Sequence, residues 1–351
     1  MEGDQRIVAQ RAASGKAELA HRAAGGSVMR SLSRNRFLIL GRAGMDLYAD
    51  PPGTRIEKAR SFAAHLGGSA ANIAVALARQ GAATDLLTRL SDDAVGRFCL
   101  AELDRYGVGR AHVQLTGGER RSSLAVVETR AEGCQSVIYR NHAADLALSL
   151  ADVGSVEFSD YGALVVTGTA LAEEGSRVAT LAALRRARAA GIVTVMDVDY
   201  RPYSWHSWEV AGRVNLEGAR LSDIIVGNDL EFGLLAGRVE DGLARARSLV
   251  AEGAAIVVYK KGEDGAVTFA RGEEIATGIY RTRALKPTGA GDAFMGGFLA
   301  ALAAGRPLRA AVLRGSAAAA IVVSRVGCAP AMPSAGELDH FIATQPEPEA
   351  N

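Results

Sequence analysis

At 351 residues, 48% hydrophobic and 23% charged, the chain has the size and composition of a globular protein with one large α/β core or two small ones. A formal net charge of +1 with scattered Arg and Lys argues against a nucleic-acid or membrane surface, and no apolar run is long enough to span a bilayer. Cys99, Cys134 and Cys328 lie far apart without CxxC spacing and no HxxxH pair occurs; a reducing cytoplasm is therefore expected, with neither a zinc site nor a disulfide framework.

Residues 1–35 are polar and lack the apolar core of a secretory signal, so they are expected to form a disordered extension, as is the tail at 343–351. Ordered structure is expected over 36–342, opening with a buried strand from Arg36 to Leu40 that ends at Gly41. Asp46 lies just past the carboxyl end of that strand, where open α/β sheets take ligands, although a turn aspartate would read the same way. Gly67 and Gly68 precede an apolar helix closed by Gly81. They would let a substrate sit against bare backbone, with Asn72 offering both a donor and an acceptor to hydroxyls; the small residues at 69–71 would equally serve close helix packing.

A strand at 83–88 and a helix at 93–106 follow. Between 111 and 140 the rhythm breaks, with short strand signals at Leu124 to Val127 and Ser136 to Tyr139 around Glu132-Gly133. This resembles a hairpin outside the main alternation and is a candidate lid. From Ala163 onward, strands at 164–166, 192–196, 224–226 and 255–259 alternate with helices, which implies a mostly parallel sheet covered on both faces. Two late helices are expected at 290–304 and 307–324.

The chemistry concentrates at Gly289-Ala290-Gly291-Asp292. The glycines allow a tight turn, the first amides of the following helix are free to bind an anion, and a carboxylate beside them suits removal of a proton from an attacking hydroxyl. Asp292 alone would read equally as a helix-terminal charge. Asp197 and Asp199 share one side of an extended chain with Arg201 near them. Asn228 and Glu231 could hold a hydrated magnesium ion, or form a helix cap. Lys260 or Lys261 could reach nucleotide phosphates from a turn through Gly262 and Gly265, or the segment is only a turn. Neither a P-loop nor a GxGxxG fingerprint is present.

Taken together and in order, Gly67-Gly68 with Asn72, Asn228 with Glu231, Lys261-Gly262 with Gly265, and Gly289 to Asp292 resemble the signatures of the ribokinase-like (PfkB) sugar kinases over about residues 36–342. The resemblance implies a ribokinase-like, doubly wound, mostly parallel sheet flanked by helices, with a small β-lid from about 47–65 and 111–140. It also implies a transferase that uses ATP and Mg2+ to phosphorylate a sugar alcohol, with a monovalent cation left open. In that reading Asp292 is the base at an anion hole of Gly289, Ala290 and Gly291. Asp46, Gly67, Gly68, Asn72 and Asp199 meet the substrate, and Asn228, Glu231, Lys260, Lys261, Gly262 and Gly265 meet the nucleotide, with the ion on Asn228 and Glu231 through water.

Within the family, Gly41 to Tyr48, Ile138-Tyr-Arg-Asn141, Asp197-Val-Asp-Tyr-Arg-Pro202 and Leu285-Lys-Pro-Thr-Gly289 are similar to the branch that acts on keto-deoxy sugar acids. That similarity implies 5-dehydro-2-deoxygluconate of inositol catabolism as substrate, with Arg140 and Arg201 holding its carboxylate; 2-keto-3-deoxygluconate is the nearest alternative. A bidentate guanidinium suits a carboxylate, whereas fructose or ribose would not need one, and Arg201 could instead pair with Asp197 or Asp199. A non-catalytic sugar-acid sensor is the rival from another class. Lids of this type suit a homodimer. Lys286-Pro287 stand where many family members have Asp-Thr, and Ser316 and Ala319 where relatives often have Asn and Gly, which leaves the adenine side open.

Overall fold

The computed structural model describes residues 28–350. Its strands are β1 (Arg36–Leu40), β2 (Gly44–Asp50), β3 (Ser61–Gly67), β4 (Ala83–Ser91), β5 (Val113–Thr116), β6 (Ser123–Val127), β7 (Ser136–Tyr139), β8 (Ala163–Thr167), β9 (Val193–Asp197), β10 (Ile224–Asn228), β11 (Ile256–Lys260), β12 (Ala266–Ala270) and β13 (Glu273–Thr277). The α-helices are α1 (Ser69–Arg79), α2 (Ala94–Tyr106), α3 (Leu150–Gly154), α4 (Glu174–Ala189), α5 (Trp208–Arg220), α6 (Asp229–Ala236), α7 (Gly242–Ala251), α8 (Ala290–Ala303), α9 (Leu308–Val323) and α10 (Ala335–Thr344).

A nine-stranded sheet runs in the order β13-β12-β11-β10-β9-β8-β1-β4-β5, parallel from β11 through β5 and closed at one edge by antiparallel β12 and β13. Side chains alternate across each strand, so the continuous apolar run of β1 feeds two cores. Phe37 and Ile39 join the layer formed by α1, α2, α8, α9 and α10, while Leu38 and Leu40 join the layer formed by α3 to α7. The chain leaves β1 for β4 on one side and later returns at β8 on the other. Its strand order therefore reverses at β1 and β8, which opens a crevice at their carboxyl ends.

The second sheet, β3-β2-β6-β7, has antiparallel outer pairs around a parallel β2–β6 pair. Asp46, Tyr48, Ala125 and Val127 turn inward and are buried, whereas Met45, Leu47, Leu124 and Val126 on the opposite face are half-buried. This lid starts at Gly44, earlier than expected, and runs to Gly67 and Tyr139. Residues 113–116 lie outside it, because β5 follows α2 back to β4 and pairs with it in parallel.

Two expected boundaries shift. Helical residues 28–32 precede β1, with Val28 and Leu32 one turn apart in the core and the Ser31 hydroxyl donating to the Gly162 carbonyl at 2.7 Å. The rest of the expected extension lies outside the described residues. At the other end, a Ser334–Glu337 capping box starts α10, which reaches Thr344, and Arg309 pairs with Glu347 at 3.1 Å. No helix among the described residues is long and apolar enough to cross a membrane.

Candidate active site

The carboxyl ends of β8, β9, β10 and β11, the start of α8 and the inner face of the lid enclose a cleft of about 450 Å³. Gly289 enters α8 in a left-handed conformation (φ 84°), and a Cβ there would stand 2.8 Å from Cys328 Sγ, so only glycine makes this turn. Ala290, Gly291 and Asp292 then present the first amides of a fourteen-residue helix to the cleft, where the helix dipole adds positive potential. Lys260, at the end of β11, brings its ammonium to the same point; its Nζ lies 3.6 Å from where a Cβ on Gly291 would stand and 5.6 Å from the centre of the Phe294 ring. Backbone amides and a cation thus converge on one spot, a cradle for phosphoryl oxygens.

Asp292 stands at the mouth of that cradle. Its Oδ2 accepts a hydrogen bond of 2.8 Å from Asn72 Nδ2 on α1. Burial, reinforced by the charge of Asp199, pushes its carboxyl up to about 6, against the Asn72 hydrogen bond and the charges of Arg201 and Arg42. A carboxylate held near neutrality can take a proton from a hydroxyl and still be ionised at physiological pH.

On the lid side, Asp46 is 5% exposed and its Oδ1 has no hydrogen-bond partner; Asn72 Oδ1 is likewise buried and unpartnered. Two orphan acceptors on the wall of a polar cleft suit the hydroxyls of a ligand. Gly67 and Gly68 do not line the cleft and act through packing. A Cβ on Gly67 would fall 2.0 Å from Asp46 Oδ1, and one on Gly68 would fall 2.4 Å from the Arg42 carbonyl, so both glycines make room for the segment that carries Asp46.

Three arginines, Arg42, Arg140 and Arg201, line the cleft. Arg140 is buried and anchored: Nε donates to Asp145 Oδ2 at 3.0 Å, Nη2 donates to the same oxygen, and Nη1 donates to the Thr169 carbonyl at 2.9 Å. Arg201 is half-exposed and pairs with Asp199 Oδ1 at 2.7 Å. Asp199 itself is turned by a positive φ of 38°, and its Oδ2 accepts from Ser69 and Thr169 at 2.7 and 3.0 Å. The pairing of Arg201 with Asp199, one of the alternatives legible from sequence, is therefore formed, and each of these guanidiniums keeps only part of its donor set for a ligand. Arg42 differs: it is 9% exposed, donates to the Ser123 hydroxyl at 3.0 Å, and makes no ion pair among the described residues. Sequence reasoning missed it; the available signal was a basic residue directly after the glycine that ends β1.

Beside Lys260, across the β10–β11 pair, Asn228 and Glu231 form the capping box of α6. Asn228 Oδ1 accepts from the Glu231 amide at 2.9 Å, while the Glu231 carboxylate accepts from the amides of Asn228 at 2.7 Å and Tyr200 at 3.1 Å. The cap reading of this pair is thus realised, with both Glu231 oxygens occupied, and among the described residues no three His, Cys, Asp or Glu side chains gather to hold a bare metal ion. The oxygen-only donors here suit a hydrated hard cation. Burial raises the Glu231 carboxyl and pushes Asp197 well up, and Lys260 opposes both; a dication carried in with phosphates would relieve this concentration of acid. Lys261, Gly262 and Gly265 build the turn from β11 to β12 outside the cleft. The Lys261 amide donates to the Gly265 carbonyl at 2.8 Å, and Gly265 (φ 85°) lies where a Cβ would meet the Thr277 carbonyl at 1.9 Å.

A doubly wound sheet with a β-lid, an anion cradle at a helix start and a tuned carboxylate define a kinase of small alcohols. The chain belongs to the pfkB family of carbohydrate kinases, whose model matches residues 34–335. It is 39% identical over 314 residues to the 5-dehydro-2-deoxygluconokinase of Photobacterium profundum, covering 88% of this chain and 95% of that one. The enzyme of the same name from Geobacillus kaustophilus is 35% identical over 311 residues, covering 87% and 93%. Among solved structures, a double mutant of Vibrio cholerae fructokinase with fructose, ADP and potassium ion bound superposes with a TM-score of 0.77 at 25% identity, covering 87% of this chain and 97% of that one.

Proposed function

We propose that this carbohydrate kinase transfers the γ-phosphoryl group of ATP to the terminal hydroxyl of a keto-deoxy sugar acid, 5-dehydro-2-deoxygluconate in particular. The observation that carries the reading is the set of three arginines around one cleft that also holds Asp292 and two orphan acceptors. Arg140 and Arg201 are partly committed to Asp145 and Asp199, but the donors they keep and the Arg42 guanidinium, which has no ion pair among the described residues, suit a carboxylate at the far end of a polyhydroxy chain better than a neutral sugar. The names of the relatives from Photobacterium and Geobacillus agree with that chemistry.

In this mechanism the guanidiniums of Arg42, Arg140 and Arg201 hold the acid end, and Asp46 and Asn72 accept the hydroxyls. Asp292 takes the proton of the distal hydroxyl as its oxygen attacks the γ-phosphorus and the bond to the bridging oxygen of ADP breaks. The amides of Ala290, Gly291 and Asp292, with Lys260, meet the charge on the transferred group, so positioning and electrostatics supply most of the rate. Magnesium, held through water at Asn228 and Glu231, would shield phosphate charge. Lys261, Gly262 and Gly265 contribute by fixing the strand end that aims Lys260. A non-catalytic sensor is disfavoured, since it would have no use for a carboxylate raised to about 6 beside an anion cradle.

The outer face of the lid, where Phe62, Val137 and Tyr139 are exposed beside half-buried Leu47 and Val126, supports a homodimer. The free cysteines Cys99, Cys134 and Cys328 suit a reducing cytoplasm. A coupled ATPase assay over 5-dehydro-2-deoxygluconate, 2-keto-3-deoxygluconate, fructose and ribose tests the substrate. The highest kcat/KM is expected for the first acid; a preference for either neutral sugar would overturn the assignment.

A further inference from the structure

Lys286 is wholly buried behind the anion cradle, with 0% of its surface exposed. Its ammonium donates to the Thr288 carbonyl at 2.6 Å and to the Val322 carbonyl at 3.3 Å, and it joins no ion pair among the described residues. The strap it belongs to is tied down independently, because the amides of Leu285 and Lys286 both donate to the Val323 carbonyl, at 2.7 and 3.2 Å. Thr288 immediately precedes Gly289, so the ammonium grips the turn that aims the first amides of α8.

A buried lysine is costly to keep. Burial pulls its pKa down, and the groups that oppose this, Cys328, Asp292, Cys134 and Asp46, act through space and not by direct contact. Methionine would fill the same volume without the desolvation cost, so the side chain is better explained by its charge than by its packing. An ammonium on backbone carbonyls is also the chemical counterpart of a desolvated potassium ion, since both are monovalent and of similar size.

We propose that the Lys286 ammonium serves as a tethered monovalent cation: it occupies the carbonyl site beside the anion hole, orders the Thr288–Gly289 turn, adds positive potential behind the γ-phosphoryl group, and makes the kinase independent of potassium. The inference rests on the reading of Ala290 to Asp292 as the anion hole and does not depend on which sugar acid is the substrate. Lys286 is a positioning residue, since it touches the turn and not the reacting atoms.

The test compares the unmodified protein, Lys286→Ala and Lys286→Met in choline, sodium, potassium and ammonium chlorides at fixed ionic strength, reading kcat, KM and Tm. The unmodified protein should give the same kcat in all four salts. Lys286→Ala should lose about 100-fold in kcat in choline with little change in KM for the acid, the lower end of the scale for losing one anion-hole donor. Potassium or ammonium should restore part of that loss and raise the Tm of Lys286→Ala, while choline does neither. Lys286→Met, with the space filled, should lose kcat and show no cation response. Activation of the unmodified protein by potassium would overturn the inference whether or not the variants fold. So would normal turnover in both variants, or a loss in Lys286→Ala that no cation reverses. The Tm series needs no substrate, so failure of the sugar-acid assignment leaves it standing.

Discussion

Asp292 has to be ionised to act and is held where ionisation is unfavourable. With its carboxyl at about 6, kcat/KM should climb with pH up to about 6 and level off above it; a pH profile without that limb would separate the rate from this group. The same shift has a consequence for stability. A folded-state value above the ordinary 3.8 means that the folded protein holds this proton more tightly, so the associated stability is full below 3.8 and is lost as pH rises through about 6. Asp292→Asn should therefore lower kcat by about 100- to 10,000-fold yet raise stability at neutral pH by about 1 to 2 kcal/mol, a gain that fades in acid. Arg201→Ala should raise KM for the acid about tenfold and leave KM for ATP unchanged, as expected for one lost charge-assisted contact. Equal changes in both would assign Arg201 to holding Asp199. At this scale the structure brings Asp292, Gly289 and Asn72, each singled out by the spacing of its motif, into one cleft. Arg42 was not singled out, because nothing local distinguishes a single arginine after a strand until the fold places it in the cleft with no carboxylate partner among the described residues.

The elements that carry the site are held together by missing side chains. A Cβ on Gly296 of α8 would lie 2.3 Å from the Ala76 Cβ of α1, so the two helices touch almost backbone to backbone. One bears Asp292 and the other Asn72. Gly296→Val should cost about 1 to 3 kcal/mol by overpacking, read from a denaturant midpoint, and should lower kcat further by stretching the Asn72–Asp292 hydrogen bond. Stability loss with unchanged kcat would show that the hydrogen bond tolerates the displacement. The β12–β13 edge and α10 were partly or wholly invisible in the sequence for a physical reason. Glu273-Glu274-Ile275-Ala276-Thr277 is an exposed edge whose acids conceal its strand pattern, and α10 buries only Leu338 fully, so neither has strong periodicity. The Asn228–Glu231 pair shows the converse: its spacing was plain, but cap and water-mediated ion site share it, and the amides on both carboxylate oxygens establish only that the cap is formed.

Across the whole molecule, the parallel sheet was evident from apolar runs alternating with helices, whereas only β6 and β7 of the lid were legible as strands and their sheet was not, since β2 and β6 pair across more than seventy residues. Its two faces assign different tasks, Asp46 and Tyr48 to the cleft and Val137 and Tyr139 to the outside. Val137→Glu with Tyr139→Ser should convert a dimer to a monomer in light scattering at little cost to the fold; a native protein that is already monomeric would remove the dimer reading. The hydrogen bond between Asn72 and Asp292 joins residues 220 positions apart. During synthesis, then, the lid and Asn72 emerge long before Asp292. A chain truncated before Pro287 lacks both Asp292 and the wall of the cleft at 287–291, so such a product should show no ATP turnover.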